Sequence, residues 1–502
     1  MRLGIDFGTT HTVVAAVDRG NYPVVSFEHT DFIPSIAAAR EDGTLRFGAQ
    51  AAAVTHDPAW TVLRSFKRLL NEAGPATEVV IGPRTIRLVE LLGGFLSHVR
   101  EELSLRSNAH PRKRDPLQVA ASVPANASSG QRILTVDGFR RAGFDVVALL
   151  NEPSAAAFEY AHRFRETVTS KREYVLVYDL GGGTFDVSLI KMERRANEVV
   201  TSSGIARLGG DDFDEAILRL VESKVGPVAP PRDRQLVLEE CRIQKESVNA
   251  NTRKFVIDLT AMGRREPLVL PADEVYAACA PLVDQTLDAI EPVMRDSRRA
   301  NEEVDWNELA GIYVVGGASA FPPVYRLLRE KFGAHRVRRS PHPFGSTGIG
   351  LAITLDDRAG YTLTERLTRH FGVFREESAG EEVSFDVLLP KDTRLPSPGE
   401  APLTVTRRYR AAHNLGHFRF VECARIESGR PEGNLALWDE VLFPFDPRLR
   451  GVRDLASVPV SRLGEGPHVE ETVRCDAAGE LEVQLRVLED GFSNTVRIAR
   501  RG

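Results

Sequence analysis

Cysteine is scarce in this chain: Cys241, Cys279, Cys423 and Cys475 are the only four in 502 residues, with no C-x-x-C pair and no histidine at zinc-ligand spacing. That pattern excludes a disulfide framework and a structural zinc site, and it points to free thiols in a reducing compartment. No apolar run reaches the roughly 20 residues needed to cross a bilayer, and the N-terminus arrives at Asp6 without the apolar stretch of a signal peptide. The expectation is a cytoplasmic protein with no membrane partner. Excess charge is also lacking, with 65 Lys plus Arg against 70 Asp plus Glu and a net charge of −5. Nothing electrostatic favours nucleic acid as a partner, and the short basic run at 111–115 reads as a solvated loop. Two phosphate-binding signatures are missing as well. No Gly-Lys dipeptide occurs, which removes the P-loop, and no G-x-G-x-x-G follows a strand.

What is present is the composition of a globular chain, 42% hydrophobic and 27% charged. Its length predicts roughly three packing units at about 150 residues each. As far as about residue 200, strand-like and helix-like segments alternate, an α/β pattern in which Pro153 opens a helix. Phe213, Ile217, Leu220 and Val221 recur at helical spacing behind Asp211 and Asp212, which stand where they can cap the N-terminus. The Pro-rich stretch 227–233 reads as a loop, followed by a long stretch of helical character from Leu236 to Arg299. Residues 311–333 read as strand, Gly-Gly turn and helix, with Gly333 as the stop. Beyond about residue 356 turn signals crowd together and the runs between them are short and β-rich. Residues 361–502 therefore read as a separate, mostly antiparallel β domain.

One device occurs twice. "LGIDFGTTHTVVAAV" at 3–17 and "YDLGGGTFDVSLI" at 178–190 each run apolar strand, Asp, Gly- and Thr-rich turn, apolar strand. Such a turn gathers backbone N–H groups and a hydroxyl at one point, a concavity for anionic oxygens. Asp6 and Asp179 add oxygen ligands suited to Mg²⁺, directly or through water. Either turn alone is as well explained by a tight hairpin; the repetition favours a polyphosphate held from both sides. Glu152, between the strand-like "VVALL" and the helix of Pro153, aims a carboxylate at a strand-end crevice where α/β proteins tend to bind ligands.

The segments "GIDFGTTHTVV", "FKRLL", "ASVPANASSGQR", "NEPSAAAFEYA", "VYDLGGGTFDVSLI", "LGGDDFDEAI" and "YVVGGASAFPPV" stand in the order and approximate spacing of the heat-shock protein 70 chaperone family, which residues 1–355 strongly resemble. The resemblance implies an α/β, two-lobed actin-like ATPase domain over 1–356, with lobes at about 1–170 and 171–356 and a duplicated βββαβα core. An all-β sandwich over 357–502 follows, as a peptide-binding domain. It further implies ATP and Mg²⁺ as cofactors. Gly8, Thr9, Thr10 and His11 would form the first phosphate loop, and Gly181, Gly182, Gly183 and Thr184 the second. Gly209, Gly210, Lys245, Gly316 and Gly317 complete the nucleotide-binding set, and Asp6, Asp179 and Asp186 surround the metal through water. Lys67, Glu152, Asp179 and Thr184 are the implied catalytic residues. Lys67 orients the attacking water and offsets γ-phosphate charge, while Glu152 joins the metal and water network. Pro124 and Arg132 match the pair that relays nucleotide state between domains.

Departures from the family pattern cluster on the base side. Glu246 and Ala320 stand where two base-stacking arginines are expected, leaving Phe321 or another group to replace them. "FDVLLPKDTRLP" and "ETVRCDAAGELEVQLRV" resemble parts of the family's peptide-binding sandwich, whereas "LDDRAGYT" replaces its apolar linker and no helical lid precedes Gly502. The expected function is an ATP-dependent, slowly hydrolysing chaperone for unfolded or extended polypeptide, served by co-chaperones and engaged in protein folding and the stress response. Two alternatives remain open: a nucleotide-binding interaction or regulatory module with little turnover, and a small-molecule kinase of the same superfold.

Overall fold

A computed structural model describes residues 1–497 except 29, 75, 113–114, 300–303, 379–381, 398–399, 434, 439–440 and 478. Lys113 and Arg114 of the basic run therefore lie outside the described residues.

The duplicated turn is embedded in a duplicated sheet. In the first lobe Arg2–Phe7 pairs antiparallel with His11–Ala16, which continues to Ile33–Pro34, and it pairs parallel on its other side with Gln118–Val123, next to Asp145–Asn151. The second lobe repeats that order. Tyr174–Leu180 lies antiparallel to Phe185–Glu193 and then Ala196–Ile205, and parallel to Leu309–Val315, next to Val337–Arg339. The two central strands, Tyr174–Leu180 and Leu309–Val315, are buried along their length, as strands covered on both faces are. Helices cover both sheets. Glu152–Arg163, with Pro153 in its first turn, and Ser346–Thr354 cross between the lobes, each following the last parallel strand of its repeat.

Two local expectations differ from the structure. The stretch Leu236–Arg299 is not continuously helical: the helix Pro231–Ser247 ends at Val248, and a hairpin of Lys254–Ile257 and Leu268–Pro271 precedes the helix Ala272–Asp288. Its two strands are four residues each, with Phe255, Ile257 and Leu270 fully buried and Leu268 partly so, too short an alternation to stand out beside long flanking helices. Of the two aspartates placed to cap the helix Gly210–Val225, Asp212 does so, its carboxylate accepting the Gly209 N–H at 2.8 Å. Asp211 turns instead toward Ser65 and Arg242.

The C-terminal region is a sandwich of two antiparallel four-stranded sheets. Glu382–Leu389, His370–Glu377, Phe420–Cys423 and Ala436–Leu437 form one, and Leu403–Arg410, His468–Cys475, Leu481–Val487 and Ser493–Arg497 the other. Phe371, Val373, Phe420, Val473, Val483 and Leu485 fill the space between. The connection to it is itself structured. Thr362–Thr364 adds a sixth strand to the second lobe's sheet, parallel to Ala196–Glu198. Buried apolar side chains fall into three large clusters, one under each lobe's sheet and one in the sandwich. All four cysteines are buried free thiols, and no helix among the described residues is long and apolar enough to cross a membrane.

Candidate functional site

Both hairpin turns open into one cleft of about 1040 Å³ between the lobes. They touch there: a Cβ at Gly182 would stand 2.5 Å from Thr10 Oγ1, and one at Gly209 would stand 2.6 Å from Gly183 N. Only glycine allows two turns and a helix start to approach so closely. The helix Gly210–Val225 is tied to the second turn by Gly210 N–H donating to the Gly181 carbonyl at 3.0 Å and Asp211 N–H to that of Gly182 at 2.8 Å. Lys245 closes the same corner, donating to Gly210 O at 2.6 Å and pairing with Asp214 at 2.6 Å. Gly8, Thr9, His11, Thr184, Gly316 and Gly317 line the cleft as well. Thr9, Lys67, Glu152, Asp179 and Lys245 are buried in its walls.

In its floor the Lys67 ammonium donates to Glu152 Oε1 at 2.6 Å, both side chains nearly out of water. Asp6 accepts from Ser122 Oγ at 3.0 Å, and Asp186 from Ala125 N–H at 3.1 Å. Burial and the neighbouring Glu152 raise the Asp6 carboxyl to about 7, with Lys67 and Ser122 pulling the other way. The same two causes bring Asp186 to about 7, and burial with Glu152, Asp186 and Asp6 raises Asp179 well above the carboxylate range. Burial alone would lower the Lys67 amine, but Glu152 and Asp6 hold it protonated above its usual value. One buried cation thus faces four acidic groups, an excess of negative charge that suits a hard divalent cation. Among the described residues no group of three His, Cys, Asp or Glu side chains is close enough to ligate an ion directly.

Sequence reasoning overlooked several members of the site. Arg68, beside Lys67, spans the lobes by donating to Gly183 O at 3.0 Å and Asp212 at 2.5 Å. Arg242, three residues before Lys245 on the same helix, pairs with Asp211 at 3.1 Å and Asp214 at 3.4 Å. Phe344 enters the cleft from the loop 340–345, a stretch without a motif. Phe321 lines the cleft but is only 3% exposed, its ring set between Phe213 and Tyr276 at 5.5 Å each, so it is not free to take over stacking. His11 is pushed down to about 4 by burial, with Arg242 and Lys245 adding to the effect, and therefore stands neutral.

Pro124 and Arg132 sit behind the cleft, toward the sandwich. Pro124 lines a small cavity with Asp186, Thr184 and, from the sandwich, Arg369 and Ala436. Arg132 donates to Asn151, which in turn donates to Glu365 from its side chain and, at 3.2 Å, from its backbone N–H.

Two sheets of equivalent strand order, closing equivalent Gly- and Thr-rich turns over a Lys–Glu pair, define a two-lobed protein of the actin-like ATPase fold. A family model described as Hsp70 protein matches residues 104–357, and the chain belongs to the Hsp70 family. It is similar to the chaperone protein HscA homolog of Bordetella petrii, 35% identical over 349 residues that make up 66% of this chain and 54% of the relative. The protein of the same name from Laribacter hongkongensis is 34% identical over 378 residues, 72% of this chain and 59% of the relative. That of Azoarcus sp. is 33% identical over 382 residues. The matched segments thus span between half and two thirds of these relatives.

Proposed function

We infer that this protein is a Mg²⁺-dependent ATPase of the chaperone type whose sandwich takes extended apolar polypeptide. The observation that carries the reading is the meeting of both Gly- and Thr-rich turns, one from each lobe, over the buried Lys67–Glu152 pair. In this reading the N–H groups and hydroxyls of Gly8 to His11 and Gly181 to Thr184 bind phosphate oxygens from two sides. Asp6, Asp179 and Asp186 would hold Mg²⁺ through its waters, and the ion would supply positive charge against the phosphates. Lys67, fixed by Glu152, orients the attacking water and opposes charge on the γ-phosphate; phosphoryl transfer asks for such positioning more than for a covalent nucleophile. Pro124 and Arg132 lie between this machinery and the sandwich and would carry its state outward.

The polypeptide reading draws on the sandwich edge. Glu382–Leu389 is an edge strand, with Val383 69% exposed and Phe374 on the neighbouring strand 37% exposed. An edge of this kind offers unpaired backbone groups and apolar side chains to an extended chain. The relatives carry the name chaperone.

Calorimetric titration with MgATP, MgADP and MgGTP tests the nucleotide site, and Lys67→Ala tests the catalytic assignment. The expected result is saturable binding that survives in Lys67→Ala while turnover is lost. Binding and turnover lost together would show that the lysine is misassigned. Single-turnover hydrolysis unchanged by the substitution would favour a nucleotide-binding module with little turnover.

A further inference from the structure

We propose that a basin beside the second lobe's sheet, at the opposite end of the helix Glu152–Arg163 from the cleft, docks an acidic, extended segment of a partner protein. The basin has a volume of about 1310 Å³ and lies between the loop 165–173 and the hairpin of Phe185–Glu193 with Ala196–Ile205. Ala161, Val168, Met192 and Ala196 give it apolar surface, while the loop contributes Arg165 and the hairpin Arg194. It shares no lining residue with the cleft and is independent of what the cleft binds.

Charge sets the partner's chemistry. Arg165, Lys171, Arg172, Arg194 and Arg195 are exposed on the two segments that border the basin, and among the described residues none of them has an ion-pair partner. Of the acids on the same segments, Glu193 is already engaged by Lys191 at 3.1 Å, which leaves Glu166 and Glu173 against those five cations. In a chain of net charge −5 this is a local excess of the opposite sign. The hairpin turn sharpens it. Arg194 is the first of the two residues linking Glu193 to Ala196, at φ 57°, a left-handed conformation usually given to glycine, asparagine or aspartate. An arginine there costs backbone strain and sets two guanidinium groups side by side at the tip.

The mixture of charge and apolar surface separates the acidic macromolecules. The phosphates of a nucleic acid or an anionic membrane gain nothing from Ala161, Val168 and Met192 and are repelled by Glu173. A polypeptide that carries carboxylates beside apolar side chains suits both parts of the basin. Its position adds a consequence for the sandwich. Arg195 O accepts from Thr362 N–H at 2.9 Å, and Ala196 pairs in register with Thr362, the first residue of the strand that leads to the sandwich. A chain lying in the basin therefore abuts that connection.

The test follows fluorescence anisotropy of a labelled peptide in which Glu and Asp alternate with Leu, added to the full chain. The unaltered protein should bind it saturably, less tightly as ionic strength rises from about 0.05 to 0.5 M, and should not bind the counterpart with Gln and Asn in place of the acids. The double variant Arg165→Glu, Arg194→Glu should bind the acidic peptide about tenfold more weakly or worse. Arg84→Glu, Arg87→Glu makes the same change of charge on exposed arginines of the first lobe and should bind as before. Arg194→Gly should melt no lower than the unaltered protein, because glycine accepts that φ, and still bind more weakly. No saturable binding of the acidic peptide, equal binding of its neutral counterpart, or equal loss in both double variants overturns the docking surface. Binding of polyuridylate or phosphatidylserine vesicles that is lost in the basin variant, without peptide binding, overturns the polypeptide partner.

Discussion

Lys67 and Glu152 face each other almost out of water, 4% and 11% exposed. Removing one member of such a pair costs more than removing both, because the survivor is left buried and uncompensated. Lys67→Met should therefore lower the melting temperature of the nucleotide-free protein, by about 3 kcal/mol of stability or more. The double variant Lys67→Met, Glu152→Gln should recover part of that loss; a double variant as unstable as the single one would mean that the pair is not where the cost arises. His11 supplies the pH dependence. Its folded-state pKa of about 4 lies below the ordinary 6.5, so the unfolded chain takes up the proton first. The stability linked to neutral His11 is complete above pH 6.5 and is lost as pH falls toward 4. Melting curves between pH 7 and pH 4 should slope more steeply for the unaltered protein than for His11→Gln. At this scale, residues with a motif around them were legible: Asp6, Lys67, Glu152 and Asp179 do converge. Phe344 was not, because a lone aromatic in a turn-rich loop carries no periodicity, and Arg68 was hidden by the lysine beside it.

At the scale of elements, the second Gly- and Thr-rich turn depends on the start of the helix Gly210–Val225. A methyl group at Gly209 would press within 2.6 Å of Gly183 N and 2.7 Å of Gly182 C, backbone atoms that yield only if the turn moves. Gly209→Ala should abolish MgATP binding while leaving far-ultraviolet circular dichroism native. Gly464→Ala, whose added methyl meets nothing within 4 Å, should leave binding intact. Comparable affinity in the two variants would separate the turn from the ligand. The hairpins themselves could be read from sequence because Asp, Gly and Thr interrupt long apolar strands. The hairpin Lys254–Ile257 with Leu268–Pro271 could not, since four-residue strands beside helices of seventeen residues leave little alternation to detect. Even so, the six-residue strand Arg2–Phe7 and the seven-residue strand Tyr174–Leu180 announced the repeat that sets the architecture.

Across the whole molecule, the sandwich meets the first lobe through buried charge. Glu422 reaches the N-terminus of the helix Ser129–Arg141, accepting from Ser129 N–H at 3.3 Å and from its hydroxyl at 2.5 Å, with Arg369 at 3.6 Å on its other side. A carboxylate at a helix N-terminus is favoured by the orphan N–H groups and the helix dipole. Glu422→Ala would remove the carboxylate that joins the Ser129 helix start to the sandwich, so the sandwich should swing away from the lobe. The radius of gyration in small-angle scattering should rise, and the segment 356–370 should become a protease site; an unchanged scattering profile would assign docking to the Arg132, Asn151 and Glu365 contacts instead. The Glu422 contact was not legible in the sequence, because its partners lie 293 residues apart and carry no shared pattern, whereas Pro124 and Arg132 were named through the family resemblance.

The three-residue strand Thr362–Thr364 gives the molecule a mechanical load path. It runs parallel to Ala196–Glu198, whose strand pairs with Phe185–Glu193, which leaves the turn Gly181–Thr184. Two strands thus lie between that strand and the turn Gly181–Thr184. Releasing those three residues would remove this strand-to-strand route between the sandwich and the turn Gly181–Thr184.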